Sequence, residues 1–455
     1  MKKLIPLIFI LLFFLIIKIT NLSVRISDTN IYFNLADQIL HGKLIYKDIF
    51  FANFPLFSIV SSLYFILLGK NIELFYLTST LEVLATTSLI YYITFKKTKD
   101  YVVSLTTAII YIFSFIVLST SDHQTGTITA SLFAVLGFLF LQKNKIIFAG
   151  IFVALSLMTK AYFIPVPLTF FFYLLLQKRW KDLFSFSAAG IITSLLVLSP
   201  FLIQAPKQLF SDIFGFSLTR PAGIIKDEVG WFFIKRDPLL FILLIFNILN
   251  FRKNKFFALS AIFSIILFLG FGDLYYLYLN FAVPFICLSF YQFYFFFTKS
   301  FNLQKLVIPT IVFVFVIFNL FVYFSDYRSL QKINNIDQIV NLIKKEKPDY
   351  LYGVHDITPA LLYMTKVPAL ENVTDAYDYF FTRKLLDKEF LTKRATQTKT
   401  IVIAHGASYP QFNIEEQVAD EIFDKNLLLK YCKLIGSFPV YNEGVSNRMN
   451  LFKCY

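Results

Sequence analysis

The chain is poor in charge. Of its 455 residues, 16% are Asp, Glu, Lys or Arg, against roughly 25% in soluble domains, which excludes an ordinary water-covered globule. Cysteine is scarce, with three in all, and the four histidines (His41, His123, His355 and His405) are scattered. There is no Cys-x-x-Cys pair and no His/Cys cluster at metal-ligand spacing, so no zinc or dithiol motif is written here. A phosphate-binding loop and a Gly-x-Gly-x-x-Gly fingerprint are both missing, and with them any nucleotide motif. His405 lies in Ala404-His405-Gly406-Ala407-Ser408, without the Gly-x-Ser-x-Gly order of a hydrolase elbow. No internal repeat and no low-complexity tract stands out beyond the Phe-rich apolar runs.

What is present is hydrocarbon. The chain is 57% hydrophobic and 19% aromatic, with 58 Phe, and its mean hydropathy is +0.65. Long apolar runs recur from residue 4 to about residue 325, as in a polytopic α-helical membrane protein. The net charge of +14 comes mostly from short clusters between these runs. That pattern reads as membrane topology and not as a nucleic-acid surface. The first run, residues 4–21, follows Lys2 and Lys3 but has no Ala-x-Ala cleavage site after it. It reads as a retained helix starting inside.

The basic clusters are Lys96/Lys97/Lys99, Lys143/Lys145, Lys178/Arg179/Lys181, Arg252/Lys253/Lys255 and Lys299/Lys305. If all face the cytoplasm, an even number of spans separates successive clusters. The runs 72–95, 101–119, 127–142, 182–204, 238–250, 256–271, 274–297 and 306–325 comply. Residues 146–177 then form two short spans, kinked near Thr159-Lys160 and Pro165/Pro167. Residues 54–69 read as a helix along the outer surface. The expectation is a multi-pass plasma-membrane protein of eleven spans, N-terminus cytoplasmic. Domain 1–325 carries a first outer loop, 22–71, and an extracytoplasmic α/β domain occupies 330–455. Most acidic residues of the loops fall on the expected outer side: Asp28, Asp37, Asp48, Glu73, Asp122, Asp212, Asp227, Glu228, Asp237 and Asp273.

Beyond residue 325 no membrane-length apolar run remains. Ile336, Ile339, Val340 and Ile343 have the period of an amphipathic helix, while Tyr350–Val354 and Thr400–Ala404 read as buried strands. Glu415–Leu429 reads as another helix. Leu434–Tyr441 and Asn450–Tyr455 read as closing strands, with Cys432 and Cys454 near their ends and open to pairing in an oxidising compartment.

The first outer loop is the most polar part of the membrane region. It offers Asp28, Tyr32, Ala36, Gly42, Tyr46-Lys47-Asp48 and Pro55 in that order. This series resembles the GT-C superfamily of membrane glycosyltransferases, in particular the protein O-mannosyltransferases and lipid A aminoarabinose transferases. Gly150–Lys160 is similar to the superfamily's Gly-containing helix ending in Thr-Lys, and Asp273–Pro284 to its late Tyr-rich helix. The likeness spans residues 1–325. Two departures stand out: Asp28 is followed by Thr29 and not by a second acid, and a Pro-Pro pair is reduced to Phe54-Pro55.

The resemblance implies transfer of a sugar from a polyprenyl-phosphate donor to an extracytoplasmic protein, lipid or glycan acceptor. It implies no nucleic-acid partner. No cofactor is demanded, although a divalent cation is compatible with the acidic loop. A carboxylate suits the base that takes the acceptor's hydroxyl proton, and Asp28 is the candidate. The leaving lipid phosphate needs cations, for which Lys160, Arg220, Lys235 and Arg236 are available; Tyr46, Asp48 and Asp122 complete the expected binding set. Each has a plainer reading, among them Asp28 as a helix N-cap, Lys160 as a snorkelling side chain, Asp122 as a solvated turn, and Arg220, Lys235 and Arg236 as interfacial anchors. A lipid-linked sugar flippase or a non-catalytic scaffold would share the composition.

Overall fold

The computed structural model describes residues 4–215, 226–271, 275–300, 307–327, 335–374, 376–377, 380–381, 384, 386–409, 414–442 and 445–454. Two compact units divide the chain. One comprises Met1–Thr20, Gly42–Val60 and Leu77–Tyr323; the other comprises Asn21–His41, Ser61–Tyr76 and Phe324–Tyr455. The first is called the membrane unit and the second the sheet unit.

In the membrane unit, hydrophobicity dictates helices, since an apolar solvent leaves the backbone no partner but itself. Among the described residues, the helices at Ile72–Thr98, Trp180–Gln204 and Val307–Ser325 are long and apolar enough to cross a membrane, and nine shorter apolar helices of 10–17 residues accompany them. The two short helices expected within 146–177 are found at Ile146–Thr159 and Pro165–Leu176, joined by a 3-10 turn at Ala161–Phe163. Helix Ile146–Thr159 lies so close to Trp180–Gln204 that a Cβ on Gly150 would stand 2.5 Å from the Phe186 carbonyl oxygen. Gly126, at φ +86°, opens helix Thr127–Gln142 with the Phe57 ring pressed against it.

Other expected spans are interrupted. The run 101–119 divides into Tyr101–Ile112 and Phe115–Thr120, although no Pro or Gly marks the break. The fully buried Asp237 carboxylate causes it: it accepts from Phe115 N at 2.7 Å and Ile116 N at 3.0 Å, capping the second piece from a distant loop. The run 274–297 likewise divides, at Tyr276–Phe281, Val283–Leu288 and Phe290–Ser300.

The sheet unit holds helix Thr29–Leu40 and a five-stranded sheet: β1 Tyr350–Gly353, β2 Thr400–Tyr409, β3 Ile414–Glu416, β4 Cys432–Asn442 and β5 Val445–Cys454. The order is β1-β2-β5-β4; β1 pairs β2 in parallel, the other pairs are antiparallel, and β3 pairs β2. The helix expected over 415–429 is instead strand β3, a loop and a short helix, Lys425–Tyr431, capped by Asp424 through Leu427 N at 3.1 Å. Cys432 and Cys454 face each other across β4 and β5 and form a disulfide. The sheet unit also has an aromatic core, with the Phe33 ring centroid 4.8 Å from that of Phe65 and 4.7 Å from that of Tyr363.

Candidate active site

In the sheet unit, Asp28 occupies the N-cap position of helix Thr29–Leu40, but its side chain makes no capping bond. Ser27 serves instead, its Oγ accepting from Thr29 N at 3.2 Å. The Asp28 carboxylate is 56% exposed, and one oxygen lies 3.7 Å from Nε2 of His355. The backbone beneath it is held firmly. The Asp356 carbonyl accepts from Ser27 N at 3.1 Å and from Asn30 Nδ2 at 2.6 Å. Asn30 is fully buried, donates to the Arg25 carbonyl at 2.7 Å, and accepts from the Tyr76 hydroxyl. Asp356 is in turn faced by His405, whose Nε2 is 3.6 Å from its carboxylate. Nδ1 of His405 is 3.1 Å from Asp420, and its backbone N donates to Asp420 at 2.6 Å. A chain of polar contacts thus leads from β2 to the loop that carries Asp28.

In the membrane unit, Tyr46, Asn53 and Lys160 are brought together. Tyr46 has a left-handed backbone, φ 66°, within a tight loop that Asp48 closes: its carboxylate accepts from Leu44 N at 2.9 Å, and its own N donates to Leu44 O at 2.8 Å. The Tyr46 hydroxyl donates to Asn53 O at 2.6 Å, and its ring meets Phe201 edge-on. Lys160 follows helix Ile146–Thr159 in extended conformation. It is 4% exposed, and Nζ donates to Asn53 Oδ1 at 3.0 Å. Asp212 accepts from Phe51 N at 3.3 Å. Burial raises the Asp212 carboxyl to about 6. Burial first, and the Asp212 charge second, push the Tyr46 hydroxyl up. Nearby in sequence to Lys160, Tyr162 bonds Thr127 at 2.8 Å and stacks on Tyr278 at 4.0 Å.

The other expected residues are placed differently. Asp122 is buried, with a carboxylate oxygen 3.6 Å from Nζ of Lys18; that ammonium also donates to Leu118 O and, at 2.9 Å, to the Tyr323 hydroxyl. Arg236 lies over the rings of Phe115 and Phe232 at 5.3 and 5.4 Å. Lys235 is exposed and lines an open, apolar-walled hollow with Trp231 and Phe232. Arg220 lies outside the described residues, as does Asp273. Asn53, His355, Asp356 and Asp420 were not assigned from sequence. Only the polarity of Asn53 beside Pro55 was available as a signal. Among the described residues, no group of three or more His, Cys, Asp or Glu is placed to hold a metal ion.

Residues 52–224 match the sequence profile of Glycosyltransferase family 87. No curated protein sequence matches the chain. Among solved structures, that of ArnT from Cupriavidus metallidurans bound to undecaprenyl phosphate is similar. The TM-score is 0.65 at 10% identity, covering 99% of this chain and 97% of that one. The chain therefore shares the fold of that ArnT structure along its whole length, and residues 52–224 are similar to a glycosyltransferase family, in line with the expected likeness to membrane glycosyltransferases.

Proposed function

We propose that the protein transfers a sugar from a polyprenyl-phosphate carrier to a hydroxyl-bearing extracytoplasmic acceptor. Asp28 takes the acceptor's proton, the acceptor oxygen bonds to the sugar's anomeric carbon, and the bond from that carbon to the phosphate oxygen breaks. The products are the glycosylated acceptor and the free lipid phosphate. Because the leaving group is already anionic, cations stabilise it better than an acid would. Lys160 is the cation assigned to it, with Asn53 as the side chain that holds the ammonium in place before the donor arrives. Tyr46 and Asp48 shape the loop that presents Asn53. Arg220, Lys235 and Arg236 are left as the outer cations that draw in the donor.

The observation that carries this reading is a fold alike over the whole chain to one solved with undecaprenyl phosphate bound, joined to a glycosyltransferase profile over residues 52–224. Asp28 adds support of its own. Its carboxylate is half exposed and unused by the helix it precedes, so an acceptor hydroxyl can reach it while His355 orients it.

Vesicles loaded with a labelled polyprenyl-phosphate sugar test the reading. Purified protein should release polyprenyl phosphate and label an added acceptor. Movement of the intact lipid between leaflets, with no bond broken, would assign a flippase instead.

A further inference from the structure

A polar cavity lies in the membrane unit, and none of the residues assigned above lines it. Its volume is about 250 Å3, and Lys97, Arg252, Lys253 and Lys255 line it together with four amide side chains; no carboxylate is among its described lining residues. These cations come from two of the clusters that the sequence places on the cytoplasmic side. Aromatic side chains, among them the buried Phe138 and Phe256, form its apolar wall.

Two of the lining residues carry buried polar groups that are left unsatisfied. Asn254 is 7% exposed, yet its side-chain nitrogen has no hydrogen-bond partner, and the side chain does not cap the helix it precedes. The Thr94 hydroxyl, 1% exposed, is also unpartnered. Buried polar groups are ordinarily satisfied, and two orphaned ones among the residues lining one cavity point to a missing partner. The electrostatics give the sign of that partner. Lys97 sits in the last turn of helix Ile72–Thr98, where a cation complements the helix dipole. Lys255, however, opens helix Lys255–Gly270, where a cation opposes it. A bound anion reverses that cost and meets the free N–H groups of the same helix end.

We propose that this cavity seats the phosphate headgroup of an anionic membrane lipid. Its volume of about 250 Å3 lies at the small end of pockets that engulf whole small molecules, roughly 300–1,000 Å3, and suits a headgroup. A headgroup needs less, since the tails stay among the apolar helices. Basic pockets between membrane helices recognise lipid phosphates in this way.

Binding of phosphatidylglycerol, phosphatidylcholine and inorganic phosphate to the purified full-length protein, followed by native mass spectrometry, tests the site. Phosphatidylglycerol should bind saturably and best. The variant R252Q/K253Q should lose roughly twenty-fivefold in affinity, each cation contributing about fivefold. Asn254→Asp keeps the side chain's shape but turns its donor into an anion, and it too should weaken binding. K178Q/K181Q, which removes two cations of the basic clusters outside the cavity, should change affinity less than about twofold on the same scale. Thermal unfolding in detergent checks that each variant is folded. Equal losses in the cavity and control variants would overturn the proposal in favour of diffuse charge attraction. Inorganic phosphate binding as tightly as phosphatidylglycerol would overturn the lipid as its source.

Discussion

Replacing Asp122 with Asn would strand an ammonium inside the membrane unit. Lys18 is 1% exposed and Asp122 3% exposed, and their charged atoms are 3.6 Å apart. At an effective dielectric of about 20, that separation corresponds to roughly 5 kcal/mol of attraction. Removing one member of a buried pair costs about 3–5 kcal/mol, because the survivor keeps its desolvation penalty. Asn preserves the shape, and Tyr323 and Leu118 still accept from the Lys18 ammonium, so the lower end, about 3 kcal/mol, is expected for Asp122→Asn. Lys18→Met should cost a similar amount by removing the ammonium that faces the buried carboxylate. The double variant, with no charge left to compensate, should lie within about 1 kcal/mol of the original protein, giving a coupling energy of several kcal/mol. Reversible unfolding in mixed micelles measures all four corners of this cycle. Additive single effects, each below about 1 kcal/mol, would refute the reasoning and show that the two buried charges are not coupled.

Further outcomes follow from the same geometry. Cys432→Ser should destabilise the sheet unit by about 3 kcal/mol, the loop entropy for a separation of 22 residues, and reducing agent should reproduce the loss. Asp212 binds its proton more tightly when folded, its carboxyl rising from 3.8 to about 6. Stability should therefore fall as pH rises through that interval and level off above it, and Asp212→Asn should remove the slope from a pH series of melting curves. His355→Ala should lower turnover roughly tenfold or more by freeing the Asp28 side chain, with little change in donor affinity. An unchanged kcat would separate His355 from the reaction.

Much of the fold was legible because its causes are local. Pro165 and Pro167 announce the broken helix pair in 146–177, and the loss of apolar runs after residue 325 announces the sheet unit. The disulfide was open in sequence because two cysteines near strand ends can pair only if the strands align. The break at Phe113–Ser114 was invisible for the opposite reason: it is imposed by Asp237, more than a hundred residues away. The strand β3 was hidden by Val418 and Ile422, whose spacing imitates a helix although Asp424 marks the true start. At the candidate site, residue chemistry pointed to Asp28 and Lys160. It could not show that Ser27 takes over the capping role, that Asn53 holds the lysine, or that His355 faces the aspartate, since each depends on contacts made only in the folded chain.

The central claim is that Asp28 is the base of a sugar transfer, and turnover of a labelled polyprenyl-phosphate sugar by Asp28→Asn, measured beside the unaltered protein, tests it most directly. The account predicts a loss of roughly 10²–10⁴ in transfer, with thermal stability and donor affinity preserved. Near-normal turnover by that variant would contradict it.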